Sequence, residues 1–237
     1  MRIAVVGGGR MGQLIQANLE AAEDLSYAGT AGHLGGGTLA DIEGQVDGII
    51  DFSNPANLDM IVEYTKDKPV PMVIATTGHT PEQVEIIREL STRMPVVFTA
   101  NCSPGVTILE EALRHIAPAL RETWDIEIIE KHHNQKLDSP SGTAKLLLRA
   151  VDGEEDFDRV YGREGNRKRG REIGIHAVRG GNIVGDHTVL FAGDDEVLEF
   201  THRASSRQIF AGGSLIAMRF ALQAEPGLYS MKDVLFK

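Results

Sequence analysis

Between Glu130 and Ala144 the chain reads Glu-Lys-His-His-Asn-Gln-Lys-Leu-Asp-Ser-Pro-Ser-Gly-Thr-Ala, residue types suited to proton transfer beside an anion. His132 and His133 carry imidazoles, which exchange protons near neutral pH. Lys136 adds a fixed positive charge or a proton. A helix opening at Gly142 and Thr143 would aim its first amides at an anion. A small acidic substrate that must also be protonated needs those groups. Adjacent histidines on a strand face opposite sides, so both cannot easily hold one metal, and none is expected.

Those groups need a frame. Arg2 to Val6 is an apolar run that predicts a buried strand, closed by Gly7-Gly8-Gly9-Arg10-Met11-Gly12 and followed by an amphipathic helix. Gly7, Gly9 and Gly12 satisfy the G-x-G-x-x-G spacing, and strand, glycine turn and helix form the first unit of a dinucleotide fold. Further strands are expected at Leu25 to Thr30, Gly48 to Phe52, Val70 to Thr76 and Pro95 to Thr99, with helices at Ala56 to Lys66 and Pro81 to Arg93. Thr80-Pro81-Glu82-Gln83 reads as a capping box with proline at the first helical position. Ala75-Thr76-Thr77-Gly78 and Thr99-Ala100-Asn101-Cys102 both follow parallel strands, whose carboxyl ends hold ligands in open α/β sheets.

After Asn101 the rhythm changes. A helix from Thr107 stops near Pro118, Trp124 to Glu130 leads a strand into the histidines, and Gly142 to Val151 is helical. Strands follow at Glu172 to Arg179, His187 to Ala192 and Val197 to His202, then a helix from Ser205 to Gln223. Three strands in series predict a mixed sheet. The fold class is therefore α/β: an N-terminal Rossmann-like parallel-sheet domain over 1–103 and 213–237, and an α+β domain over 104–212. Hinges are expected near Ser103 and Gly212-Gly213. Arg163 to Arg171, with five basic residues in nine, reads as a solvated loop. His176, His187 and His202 are assigned ordinary structural roles.

Composition narrows the partners. The 237 residues carry a formal charge of -10, which argues against nucleic acid and makes any anion site a local one. A single cysteine, Cys102, excludes an intramolecular disulfide and fits a reducing cytoplasm. No apolar run reaches membrane-spanning length. Thr30-Ala31-Gly32-His33 places no carboxylate and no arginine after the second strand, so NADH is not favoured and NADPH stays open, with His33 or Arg10 able to approach a 2′-phosphate.

The stretch from Glu130 to Ala144 resembles the signature of the 4-hydroxy-tetrahydrodipicolinate reductase (dihydrodipicolinate reductase) family. Gly9 to Gly12, Asp51-Phe52-Ser53, Thr76-Thr77-Gly78, Asn101-Cys102-Ser103, Val178 to Thr188 and His202 to Arg207 follow in the family's order. The resemblance implies a cytoplasmic, tetrameric enzyme of lysine and diaminopimelate biosynthesis that reduces a small dicarboxylate with NADH or NADPH. It implies His132 and Lys136 as catalytic, with His133, Gly142 and Thr143 on the substrate carboxylates and the second domain also making the tetramer. Cofactor contacts are implied at Gly7, Gly8, Gly9, Arg10, Met11 and Gly12, at Ala75, Thr76 and Thr77, and at Thr99, Ala100, Asn101 and Cys102. The glycine turn is one residue shorter than the family's usual form, and Cys102 replaces an aromatic residue. The alternative is another NAD(P)-dependent imine or amino-acid dehydrogenase of similar layout.

Overall fold

In chain order the elements are β1 (Arg2–Val6), α1 (Arg10–Ala21), β2 (Ser26–Ala31), β3 (Gly48–Asp51), α2 (Leu58–Thr65), β4 (Met72–Ile74), α3 (Pro81–Ser91) and β5 (Pro95–Phe98). Then come α4 (Pro104–Leu120), β6 (Asp125–His132), α5 (Gly142–Val151), β7 (Asp158–Tyr161), β8 (Glu172–Arg179), β9 (Gly185–Ala192) and β10 (Val197–Ala204). The chain finishes with α6 (Gln208–Ala221), β11 (Gly227–Tyr229) and α7 (Met231–Leu235). The structure, a computed structural model, describes residues 1–34 and 36–236. Gly35 and Lys237, both within the segments expected to form the first domain, lie outside the described residues. Two compact units result, Met1–Pro104 with Gln208–Lys237, and Gly105–Arg207.

In the first unit six strands run parallel in the order β11-β5-β4-β3-β1-β2. β2 lies on one side of β1 and β3 on the other, so the strand order reverses at the carboxyl ends of β1 and β3. Such a switch point opens a crevice for a ligand. Ile3, Val5, Ile50, Val73 and Val97 pack on one face against Leu215 and Met218 of α6. Ala4, Val6, Ile49 and Ile74 pack on the other against Leu58, Ile61, Ile87 and Leu90. Burial on both faces explains why these strands read as unbroken apolar runs. Gly212 and Gly213 fall inside α6, not at a hinge. The chain passes between units at 104–105 and 207–208.

The second unit holds a mixed five-stranded sheet in the order β10-β9-β6-β8-β7. β6 lies at its centre, antiparallel to β9 and parallel to β8. Its burial alternates, and the inward residues Ile126 and Ile128 meet Leu113 of α4 and Leu147 of α5. Glu130 and His132 continue that inward row. Arg163 to Arg171 is an exposed loop, as expected, but its arginines are paired and not simply solvated. Arg163 and Arg169 both pair with Glu127, and Arg163 and Arg167 with the buried Glu172. Glu172 directly follows the run, but Glu127 lies about forty residues earlier on β6, so the basic run alone could not reveal that pairing.

Candidate active site

Period-two alternation places Glu130 and His132 on one face of β6. Register then gathers their neighbours: Arg179 on β8 lies beside His132, and His187 on β9 lies beside Glu130. Glu130 is fully buried, and a buried carboxylate needs partners. It has three, making four hydrogen bonds. Arg179 donates Nη1 and Nη2 to its two oxygens at 2.7 Å each, the Ser141 amide donates at 3.0 Å, and His132 Nδ1 lies 2.6 Å from Oε2. Burial opposes ionisation of Glu130, but the hydrogen bonds from Arg179 and His132 outweigh it and hold the carboxyl below its ordinary value.

Burial lowers the pKa of His132, and Glu130 offsets part of that effect. The His187 ring meets it edge-on, with centroids 5.0 Å apart and planes at 72°. His187 Nε2 lies 2.9 Å from Ser141 Oγ. Burial, aided by the nearby His132, pushes His187 down to about 3, so this ring is neutral at physiological pH. A Cβ on Gly185 would stand 3.0 Å from His132 Nε2, so glycine there keeps that nitrogen from being crowded.

The turn after β6 brings in the rest of the segment. Lys136 donates its backbone amide to His133 O at 3.2 Å and pairs through Nζ with Asp138 at 2.7 Å. The hydrogen bond from Lys136 holds Asp138 below its ordinary value. Arg179 also donates to Asp138 O at 2.7 Å, which ties this turn to Glu130. Ser141 caps α5, its Oγ accepting from the Ala144 amide at 3.1 Å. A Cβ on the exposed Gly142 would meet nothing within 4 Å, so the approach to the α5 amides is open. His132, His133, Lys136, Gly142 and Thr143 thus occupy one stretch that ends at a helix N-terminus, the electropositive end of that helix.

The first unit fits a dinucleotide by what its turn leaves out. Gly7 has φ 108°, a left-handed conformation that favours glycine, and a Cβ there would lie 2.5 Å from Phe52 O. A Cβ on Gly12 would overlap the Gly7 carbonyl, so α1 can pack this close only with glycine. Gly9 is different. A Cβ there would meet only Leu34, at 3.9 Å, and Gly9 caps α1 without any side-chain hydrogen bond. One glycine for the bend, one for close approach and one for helix packing is the arrangement that receives a pyrophosphate. When bound, the nicotinamide cofactor supplies a hydride.

Ala75, Thr76 and Thr77 follow β4, and Thr99, Ala100, Asn101 and Cys102 follow β5. Several of these side chains already have structural work. Thr76 Oγ1 accepts from the Ser53 amide at 2.7 Å, and Asn101 Oδ1 accepts from Ser103 at 2.9 Å. Cys102 packs in the core, where burial pushes its thiol up to about 12. Only its backbone is left to meet a ligand. Among the described residues, no group of three or more His, Cys, Asp or Glu side chains is placed to hold a metal ion.

Two family models cover nearly the whole chain: dihydrodipicolinate reductase, N-terminus, over residues 1–102, and dihydrodipicolinate reductase, C-terminus, over 105–235. The chain belongs to the dihydrodipicolinate reductase family. The 4-hydroxy-tetrahydrodipicolinate reductase of Brachyspira hyodysenteriae is 42% identical, over 99% of this chain and 100% of that protein. The enzyme of the same name from Clostridium novyi is also 42% identical, over 96% of this chain and 94% of its own length. A dipicolinate-bound dihydrodipicolinate reductase from Paenisporosarcina sp. TG-14 matches in fold, with TM-score 0.79 at 21% identity, covering 100% of this chain and 99% of that one. Members of the dihydrodipicolinate reductase family are oxidoreductases of lysine and diaminopimelate biosynthesis that use NADH or NADPH. Both family models match in sequence order, which sets aside an imine or amino-acid dehydrogenase.

The sequence alone leaves Glu130, Arg179 and Ser141 without roles and gives His187 only an ordinary structural one. One signal was available for Glu130: a carboxylate two residues before His132, in the same inward row as Ile126 and Ile128, must find a buried partner.

Proposed function

We propose that the protein reduces (2S,4S)-4-hydroxy-2,3,4,5-tetrahydrodipicolinate to (S)-2,3,4,5-tetrahydrodipicolinate with NADH or NADPH. The observation that carries this reading is His132, backed by an ionised carboxylate, on the same short segment as Lys136 and the open N-terminus of α5. Overall a hydride enters, the 4-hydroxyl leaves as hydroxide, and one proton turns it into water. One proton is therefore consumed per turnover, and His132 manages it as general acid/base. Lys136, His133 and the amides of Gly142 and Thr143 bind the substrate carboxylates, with Lys136 exchanging Asp138 for the incoming anion. Cofactor binding falls to the turn from Gly7 through Gly8, Gly9, Arg10 and Met11 to Gly12, with Ala75 to Thr77 and Thr99 to Cys102. A homotetramer in the cytoplasm completes the reading. The support is family membership.

The test supplies purified protein with the aldolase-generated hydroxy-dicarboxylate and follows oxidation of NADH and of NADPH side by side. Oxaloacetate plus ammonia serves as the rival substrate pair. Turnover with the dicarboxylate alone supports the proposal; turnover only with oxaloacetate and ammonia overturns it.

A further inference from the structure

The buried ion pair behind His132 has a consequence for which ring nitrogen does the work. We propose that Glu130, locked by Arg179, is a positioning residue that commits His132 to the Nδ1–H tautomer and makes Nε2 the atom that takes and gives the substrate's proton. This rests on the reading of His132 as the acid/base.

Acceptor counting leads there. Arg179 donates two hydrogen bonds to Glu130 and Ser141 donates a third, so all three arrangements require the carboxylate as acceptor. An ionised carboxylate has no proton to give. At 2.6 Å, His132 Nδ1 must therefore be the donor. The neutral ring then keeps its lone pair on Nε2, the nitrogen that Gly185 leaves uncrowded. When the ring is cationic, Nε2 holds the transferable proton, and Nδ1 keeps its own on Glu130 throughout. That division of labour is the one a carboxylate imposes on the histidine of a hydrolase triad. Breaking the Nε2–H bond returns its electron pair to the ring and passes the proton to the departing hydroxide, which leaves as water.

The same guanidinium reaches further. Arg179 Nη2 also donates to Asp138 O, two residues from Lys136. One side chain thus sets the ring that moves the proton and the turn that carries the substrate's counter-charge. The charged and titratable groups around His132 are Glu130 on its own strand, Arg179 at the end of β8, His187 on β9 with His202 beyond it on β10, and Lys136 in the turn. Glu130 supplies the negative charge that favours the imidazolium; Arg179 and Lys136 oppose it.

The test needs no variant to begin. Imidazole 15N spectra of the full chain, with the His132 ring assigned by through-bond correlation to its own backbone, should show Nδ1 protonated and Nε2 bare in the neutral ring. A neutral ring protonated at Nε2 overturns the inference even if every variant misfolds. In kinetics, Glu130→Gln replaces an acceptor-only group by one that also donates, so the ring loses its commitment. The expected result is a fall in kcat of about a hundred-fold, within the range of a general acid/base contribution, with the alkaline limb of the pH profile moved to lower pH and a smaller change in KM. Arg179→Met should lower kcat and raise KM together, because it also releases the turn, and Arg179→Lys should restore part of both. An unaltered pH profile and kcat in Glu130→Gln overturns the inference while leaving the acid/base reading intact. Undiminished turnover in His132→Gln overturns that reading instead.

Discussion

At Gly7, Gly9 and Gly12 the first unit readies a site by leaving side chains out, whereas at Glu130 the second unit crowds three polar residues and four hydrogen bonds around one carboxylate. Both regions sit where strands end, yet they fail differently. At Gly7 and Gly12 the turn tolerates almost no added volume because backbone atoms stand in the way, and backbone cannot step aside. A charge network tolerates volume better than it tolerates loss of a partner, since an orphaned buried charge costs several kcal/mol. Shape carries the turn of the first unit, and electrostatics the cluster of the second.

The largest expected effect breaks the second region alone. His132→Gln should reduce kcat by about a hundred-fold or more, the range of a general acid/base group, with unchanged affinity for NADH and NADPH by fluorescence titration. Next come two alanines in the first region that should part company. Gly12→Ala forces a Cβ into the Gly7 carbonyl and should destabilise the fold by about 1–3 kcal/mol in denaturant melts. Gly9→Ala meets only Leu34 at 3.9 Å, so its melt should match the parent while cofactor affinity falls. Equal melts for the two alanines would remove the distinction between packing and approach.

A pH series probes the second region through stability. His187 is held down to about 3, so between its ordinary value of 6.5 and that value the unfolded chain binds a proton that the folded chain refuses. Stability therefore falls as pH falls through that window. At pH 5 the penalty is about 2 kcal/mol, from 1.36 kcal/mol per pH unit. Glu130 works in the same direction at lower pH, because its depressed value means its stabilisation is lost as the carboxylate protonates. His187→Gln should flatten the slope between pH 7 and 5; an unchanged slope would show that His187 is not its source. The smallest effect belongs to a surface pair of the first unit. Arg88 lies 3.3 Å from Glu85 with both side chains largely exposed, and Arg88→Ala should shift stability by about 0.5 kcal/mol or less.

Much of the frame was legible where local chemistry decides it. The expected bounds of the helix Gly142–Val151 and the strand Glu172–Arg179 match the structure, and the capping box at Thr80 forms through the Gln83 amide and side chain. Elsewhere tertiary context ruled. Pro118 was expected to stop its helix but lies inside the last turn of α4, which runs on to Leu120 and begins earlier, at Pro104. Asn54 caps a 3-10 turn at Pro55–Asn57, so the helix expected from Ala56 starts at Leu58. The strands Asp158–Tyr161 and Gly227–Tyr229 went unread because four and three residues are too few to show a period. The site divided in the same way. His132, His133, Lys136, Gly142 and Thr143 lie on one segment and could be read together. Arg179 and His187 join Glu130 only through the register of β6 with β8 and β9, which no local pattern encodes.

The discontinuous first unit sets an order of events during synthesis. Residues 105–207 form an unbroken stretch and contain their own apolar core. The first unit must wait. Ile3, Val5, Ile50, Val73 and Val97 are covered on one face by α6, whose Ala211, Leu215 and Met218 are translated after the entire insert, and β11 pairs with β5 later still. A nascent chain therefore carries an apolar sheet face that only Ile15 and Leu19 of α1 cover in part, while the inserted unit is already able to fold. That reverses the usual N-terminal-first sequence and marks the interval before α6 emerges as the one in which the chain depends most on protection from aggregation.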